Sequence, residues 1–228
     1  MAPRNESSRG GETRPRRRRR NRRRQRGDDG EGGIDAWLDA TVYFGLGQHL
    51  LLALPMLWVA FMTVSTPVAV TTAAVVSLSV ACLAIGALRL GAVSVGAPWH
   101  RIEDSELGLG PDAGYGALVR RAAYLNATLG LGTFIGARAD LVGAGLAGSV
   151  VVAGGVALCA MLALPRLRAA PARASAAAAG AYYAVSLLVV AAFPGAVDLF
   201  SLAPSVALCV LAVATACAFD VVTGRDRR

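Results

Sequence analysis

Lysine is absent from this 228-residue chain, and its 23 lysine-or-arginine positions are all arginine. We read that as a coding bias toward G and C, not as chemistry. Acidic residues are missing from the interior of the long apolar runs. Ion-coupled transporters and proton pumps place a carboxylate inside a span, and voltage sensors carry an arginine ladder there, so the pattern speaks against both classes. No HExxH, P-loop or strand-turn-helix GxGxxG occurs. No Ser-Gly elbow with a matching histidine supports an intramembrane serine hydrolase. Cysteine occurs four times. Cys82, Cys159, Cys209 and Cys217 each sit in an apolar run, without metal-ligand spacing. They read as small apolar packing residues, not as disulfide partners. We expect no enzyme activity, cofactor or metal.

What is present is segregated. The chain is 55% hydrophobic with a mean hydropathy of +0.51, too apolar for an ordinary soluble domain of this length. Twelve of the 23 arginines lie in the first 26 residues, so the net charge of +8 belongs mostly to the N-terminus. Residues 1–33 have almost no apolar side chain and cannot bury enough surface to offset the entropy of ordering. We expect a disordered, arginine-rich cytoplasmic tail that sets topology or touches anionic lipid headgroups. Each arginine near an anionic surface contributes about 1 kcal/mol. No aromatic residue interleaves the arginines, which argues against nucleic acid. The polar, acidic stretch from Asp28 to Asp39 separates this tail from the first apolar run. That run is too long for a signal-peptide core, so we expect no cleaved leader.

The remainder, residues 34–228, reads as one transmembrane helical domain. Ile34, Trp37, Leu38 and Val42 recur at helical spacing, with Asp35 and Asp39 opposite, and form an amphipathic lead-in. Six apolar runs follow, at about 43–63, 68–90, 118–136, 141–164, 176–193 and 199–219. Most approach the ~20 residues that cross a bilayer. The predicted fold is therefore all-α, a polytopic membrane bundle of about six transmembrane helices. Pro55 should kink the first span and Pro204 the sixth. The third span is the weakest, because Arg120 and Arg121 sit at its start and must snorkel to the interface.

Arginine counts predict the orientation. With the N-terminus in the cytoplasm, inner segments carry the tail and Arg89, Arg101, Arg120, Arg121, Arg166, Arg168, Arg173, Arg225, Arg227 and Arg228. The outer turns carry only Arg138. This is the positive-inside pattern of a cell-membrane protein with both termini cytoplasmic. The outer turns fall near Ser65–Pro67, Arg138–Asp140 and Pro194–Gly195. Gly132 and Gly136, and Ala144 and Gly148, have the small-xxx-small spacing that lets helix backbones approach closely. Packing within the bundle is the plainer use, and dimerisation the alternative.

Two places merit a site hypothesis. Gln48, His49 and Asn126 lie at about 7–12 Å from the inner boundary, given the 1.5 Å helical rise. Polar side chains at that depth need partners or mark a pocket. A hydrogen bond from His49 to Asn126 or to a backbone carbonyl would serve packing alone. The second place is the longest inner connection, where His100, Arg101, Glu103, Asp104 and Glu106 cluster. A weak divalent site is conceivable there, and a solvated contact loop is the plainer reading. The expected function is a non-enzymatic structural or interaction protein of the membrane. The alternative is a small permease or channel with a polar layer at His49 and Asn126. Nothing in the chain names a protein partner or an oligomeric state.

Overall fold

The structure, a computed structural model, describes residues 33, 35–63, 67–96, 114–193 and 204–225. The arginine-rich tail and the loop carrying His100, Arg101, Glu103, Asp104 and Glu106 lie outside the described residues. All regular structure among the described residues is helical. The order is α1 (Asp39–Leu46, π-helical), α2 (Gly47–Leu52), α3 (Leu54–Phe61), α4 (Pro67–Arg89), α5 (Gly114–Ala139), α6 (Gly145–Ala169), α7 (Ala172–Ala191) and α8 (Pro204–Arg225). A short π-helical turn, Asp140–Ala144, joins α5 to α6.

Four helical stretches are long and apolar enough to cross a membrane, namely Val68–Arg89, Leu118–Leu167, Ala174–Ala191 and Pro204–Thr223. The second is 50 residues long and is folded back on itself. Gly143 has φ +94° and Gly145 has φ +68°, values that L side chains rarely adopt, and the chain reverses there. Gly132 approaches Ala153, and Gly136 approaches Ser149 and Ala153, so α5 and α6 lie antiparallel across the turn. The reversal therefore falls at Gly143–Gly145 and not at the expected Arg138–Asp140, where Arg138 and Ala139 simply continue the helix. The first apolar run is absent from the four stretches because it is broken into α1, α2 and α3. The break is at Ala53, with φ −96° and ψ 7°. Pro55 follows at the start of α3, so the expected kink in this run is present. Pro204 is the first described residue of α8, and the residues before it, where the expected bend would fall, lie outside the described residues.

The helices alternate in direction. α1 lies antiparallel to α4, with Gly45 against Cys82 and Gly86 against Thr41. α5 lies antiparallel to α4, with Gly132 against Ser77 and Gly136 against Ala73. α7 runs parallel to α5, Tyr124 facing Tyr182 and Phe134 facing Phe193. α8 returns antiparallel to α7, Gly180 meeting Val221. Two ends result. One holds the Gly143 turn and the start of α8, and the other holds Arg89 and Asp220.

α5 is the centre. It touches α2, α3, α4, α6, α7 and α8, and every residue from Ala123 to Gly130 is buried. Its weakness in apolar content follows from that position. A helix enclosed by protein need not present an apolar face to lipid, so it tolerates Tyr124, Asn126 and Thr128. Arg121 is buried as well, at 9% exposure, within electrostatic reach of His49. In the lead-in Trp37, Leu38, Val42 and Tyr43 are exposed, as are Asp35 and Asp39, while Ala40 and Thr41 are buried. The small residues face α4 and the apolar ones face out, as suits a helix in a membrane.

A polar seam along the central helix

Pro55 has no N–H, and its ring crowds the carbonyl four residues back, at Leu51. The helical ladder is interrupted around it. Ala53 N–H bonds His49 O at 2.8 Å and Leu57 N–H bonds Ala53 O at 3.0 Å. Between these, the Met56 N–H donates to Asn126 Oδ1 at 3.0 Å. Asn126 Nδ2 donates to Leu52 O at 2.7 Å and to Ala122 O at 2.8 Å. The carboxamide therefore sits in the gap between Leu52 and Met56, the two groups that an unbroken helix would join directly. Asn126 is 2% exposed, and both amide hydrogens and its carbonyl oxygen are used.

His49 is 1% exposed. Its Nδ1 lies 2.8 Å from Gly45 O. A carbonyl only accepts, so Nδ1 carries the proton and Nε2 is left as an acceptor. Nε2 is buried with no hydrogen-bond partner among the described residues. The Arg121 guanidinium is within electrostatic reach of this ring. Of the two partners expected for His49, Asn126 or a backbone carbonyl, it has the carbonyl, of Gly45, while Asn126 bonds Met56, Leu52 and Ala122. Gln48 lies on α2, and its side chain is outside the described residues.

The seam continues through residues that the sequence did not single out. Thr128 Oγ1 donates to Tyr124 O at 2.9 Å, and Tyr182 OH donates to Thr128 Oγ1 at 2.8 Å. Ser186 Oγ donates to Ala127 O at 2.8 Å. Tyr124 OH donates to Ala160 O on α6. The Tyr124 and Tyr182 rings stack at 5.4 Å, and Tyr182 and Tyr183 lie at 6.0 Å. Tyr183 OH donates to Asp220 Oδ2 at 2.6 Å, with Asp220 only 7% exposed. Asp220 lies just past the expected run 199–219, near the end of α8, so the interior of the apolar runs still carries no acid among the described residues. The apolar run ends near Phe219, and α8 continues past it to Arg225. The available signals were the Tyr124/Thr128 spacing of four and the adjacent Tyr182 and Tyr183.

Chemically, the seam joins helices. Its hydrogen bonds end on backbone carbonyls, a backbone N–H or a neighbouring side chain; among the described residues His49 Nε2 is buried without a hydrogen-bond partner, as are Thr41 Oγ1, Thr133 Oγ1 and Ser149 Oγ. Elsewhere the four cysteines are free thiols. The Gly132–Gly136 face is occupied by α4 and α6 of the same chain. A Cβ at Gly136 would stand 2.7 Å from Ala153 Cβ.

A family model described as a domain of unknown function (DUF8215) matches residues 31–171. The match takes in α1 to α6, with His49 and Asn126, and stops before α7. No curated protein and no solved structure matches this chain.

Proposed function

The chain belongs to the DUF8215 family, and on that premise we propose a non-enzymatic, multi-pass membrane protein that acts by binding at its cytoplasmic face. It crosses the cell membrane six times, counting the broken α1–α3 as one pass and α5 and α6 as two, with both termini in the cytoplasm. The arginine asymmetry supports this orientation, and the alternating helix directions support the count. The arginine-rich tail engages anionic lipid headgroups, and the loop around Glu103 is the second contact.

The observation that carries the reading is that every hydrogen bond of the Asn126 side chain goes to backbone. A side chain lining a substrate path needs free hydrogen-bonding capacity. Asn126 spends its carbonyl oxygen and both amide hydrogens on the backbone of α2, α3 and α5. The test is native mass spectrometry of the full chain and of a version lacking residues 1–26. Retained anionic lipid that falls with the tail supports the reading. A small molecule held equally by both versions overturns it.

One observation favours a second reading, a small permease or channel: the open, buried Nε2 of His49. Flux across liposomes that disappears in His49→Ala, with the protein still folded, would establish it. Absence of flux in the wild type removes it.

A further inference from the structure

The described surface includes two open grooves of different character. One, of about 470 Å³, lies between α5, α6 and α7 at the Gly143 end and is lined by Phe134, Ile135, Arg138, Val152, Val189 and Phe193 among others. The other, of about 590 Å³, lies between α5 and α8 and is lined by Val119, Leu208, Leu211, Thr215 and Phe219 with two alanines. Both fall in the size range of sites that take a small organic ligand, about 300–1,000 Å³. They differ in charge. The second has no ionisable side chain, whereas the first has exposed Arg138 next to the last residue of α5. Its floor is preformed, for Phe134 and Phe193 are buried at 0% and 3% exposure with ring centroids 5.1 Å apart.

An arginine at the end of an apolar helix reaches headgroup level, and a guanidinium pairs with phosphate oxygens through two parallel hydrogen bonds. An apolar channel running down from such a group complements an acyl chain below a phosphate. Asp140, the nearest acid in sequence, does not line the groove. We infer that the α5–α7 groove binds one anionic phospholipid, its phosphate on Arg138 and an acyl chain against Phe134, Val152, Val189 and Phe193. This rests on the membrane reading above, and it is separate from the tail.

The test uses the full chain in phosphatidylcholine nanodiscs, with trace phosphatidylglycerol or phosphatidylcholine carrying a photoreactive acyl chain. Labelled peptides are mapped after illumination. The phosphatidylglycerol probe should label the α5–α7 groove about tenfold over the α8 groove, because its phosphate charge is unopposed, whereas the choline ammonium of phosphatidylcholine offsets the same phosphate at Arg138. The phosphatidylcholine probe should label both alike. Arg138→Gln should abolish the excess and leave the α8 groove labelled as before, which also reports an intact bundle. Ala192→Trp, which fills the groove, should remove both labels there. An excess that survives Arg138→Gln overturns the inference. So does an unlabelled α5–α7 groove beside a labelled α8 groove, which leaves the membrane reading standing. No label in either groove overturns both.

Discussion

Asn126 stands in for a helical hydrogen bond of Met56: it accepts the Met56 N–H at 3.0 Å and donates to Leu52 O at 2.7 Å. The side chain of one helix thereby completes the backbone of another at the break beside Pro55. In hydrocarbon an unpaired backbone group has no water to turn to, so irregular backbone persists only where protein satisfies it. The break and its partner form a unit.

Asn126→Leu should therefore be costly in proportion to that break. It leaves two buried backbone groups unpaired, each worth about 1–3 kcal/mol. Interhelical bonds in membranes average nearer about 0.6 kcal/mol, because the separated helices find other partners. We expect a loss of about 2 kcal/mol in reversible unfolding in mixed micelles. Pro55→Ala lets the Leu52–Met56 bond form directly, so Asn126→Leu should cost less in that background. Strict additivity of the two changes would show that the Asn126 bonds are incidental to the break.

The Tyr183–Asp220 pair predicts a contrast between two substitutions. Asp220→Asn keeps an acceptor for the Tyr183 hydroxyl, and stability should change by less than about 1 kcal/mol. Asp220→Leu leaves that hydroxyl buried without its acceptor, and the expected loss is about 1–3 kcal/mol. Equal effects would mean that the hydroxyl finds another acceptor. Urea or detergent unfolding of both variants in the same micelle provides the comparison.

The helical class was legible because apolar runs of membrane length have few other uses. The break near Pro55 was legible for the same kind of reason, since proline acts locally. Ranking the helices was not. Apolar content measures fitness for lipid contact, so α5, the run that looked weakest, proved to be the one enclosed by the others. The burial of Arg121 was not legible for that reason: it is set by which helices surround α5, and no local pattern encodes that. The Tyr183–Asp220 pair was not legible, because Asp220 lies past the end of the apolar run and its partner is set by how α7 and α8 pack. His49 and Asn126 were rightly singled out as buried polar groups, yet their partners came from backbone exposed by the break, which spacing alone does not reveal.

Gly136 tests whether the small-residue face serves this bundle or a second copy. A Cβ there would meet Ala153 Cβ at 2.7 Å and Ser149 O at 3.1 Å. Overpacking of this kind costs about 1–3 kcal/mol. Gly136→Ala should lose stability in that range, with Ala153→Gly restoring part of it and the oligomeric state unchanged. A loss of dimer with unaltered stability, read by light scattering of the protein–detergent complex, would instead assign the face to association.

The turn between α5 and α6 separates backbone strain from side-chain contact. Neither Gly143 nor Gly145 has any atom within 4 Å of an added Cβ, so a substitution there is felt through φ and ψ alone. Gly143 (φ +94°, ψ 6°) lies near the left-handed region, where other residues pay about 1–2 kcal/mol. Gly145 (φ +68°, ψ −178°) occupies a region that is essentially closed to side chains. Gly145→Ala should thus destabilise more than Gly143→Ala, and Gly143→Asn should be the mildest, because asparagine tolerates left-handed backbone. The order Gly145→Ala, Gly143→Ala, Gly143→Asn in unfolding midpoint is the expected result. If all three variants match the wild type, the reversal does not depend on these two glycines, and the chain turns between α5 and α6 by some other geometry.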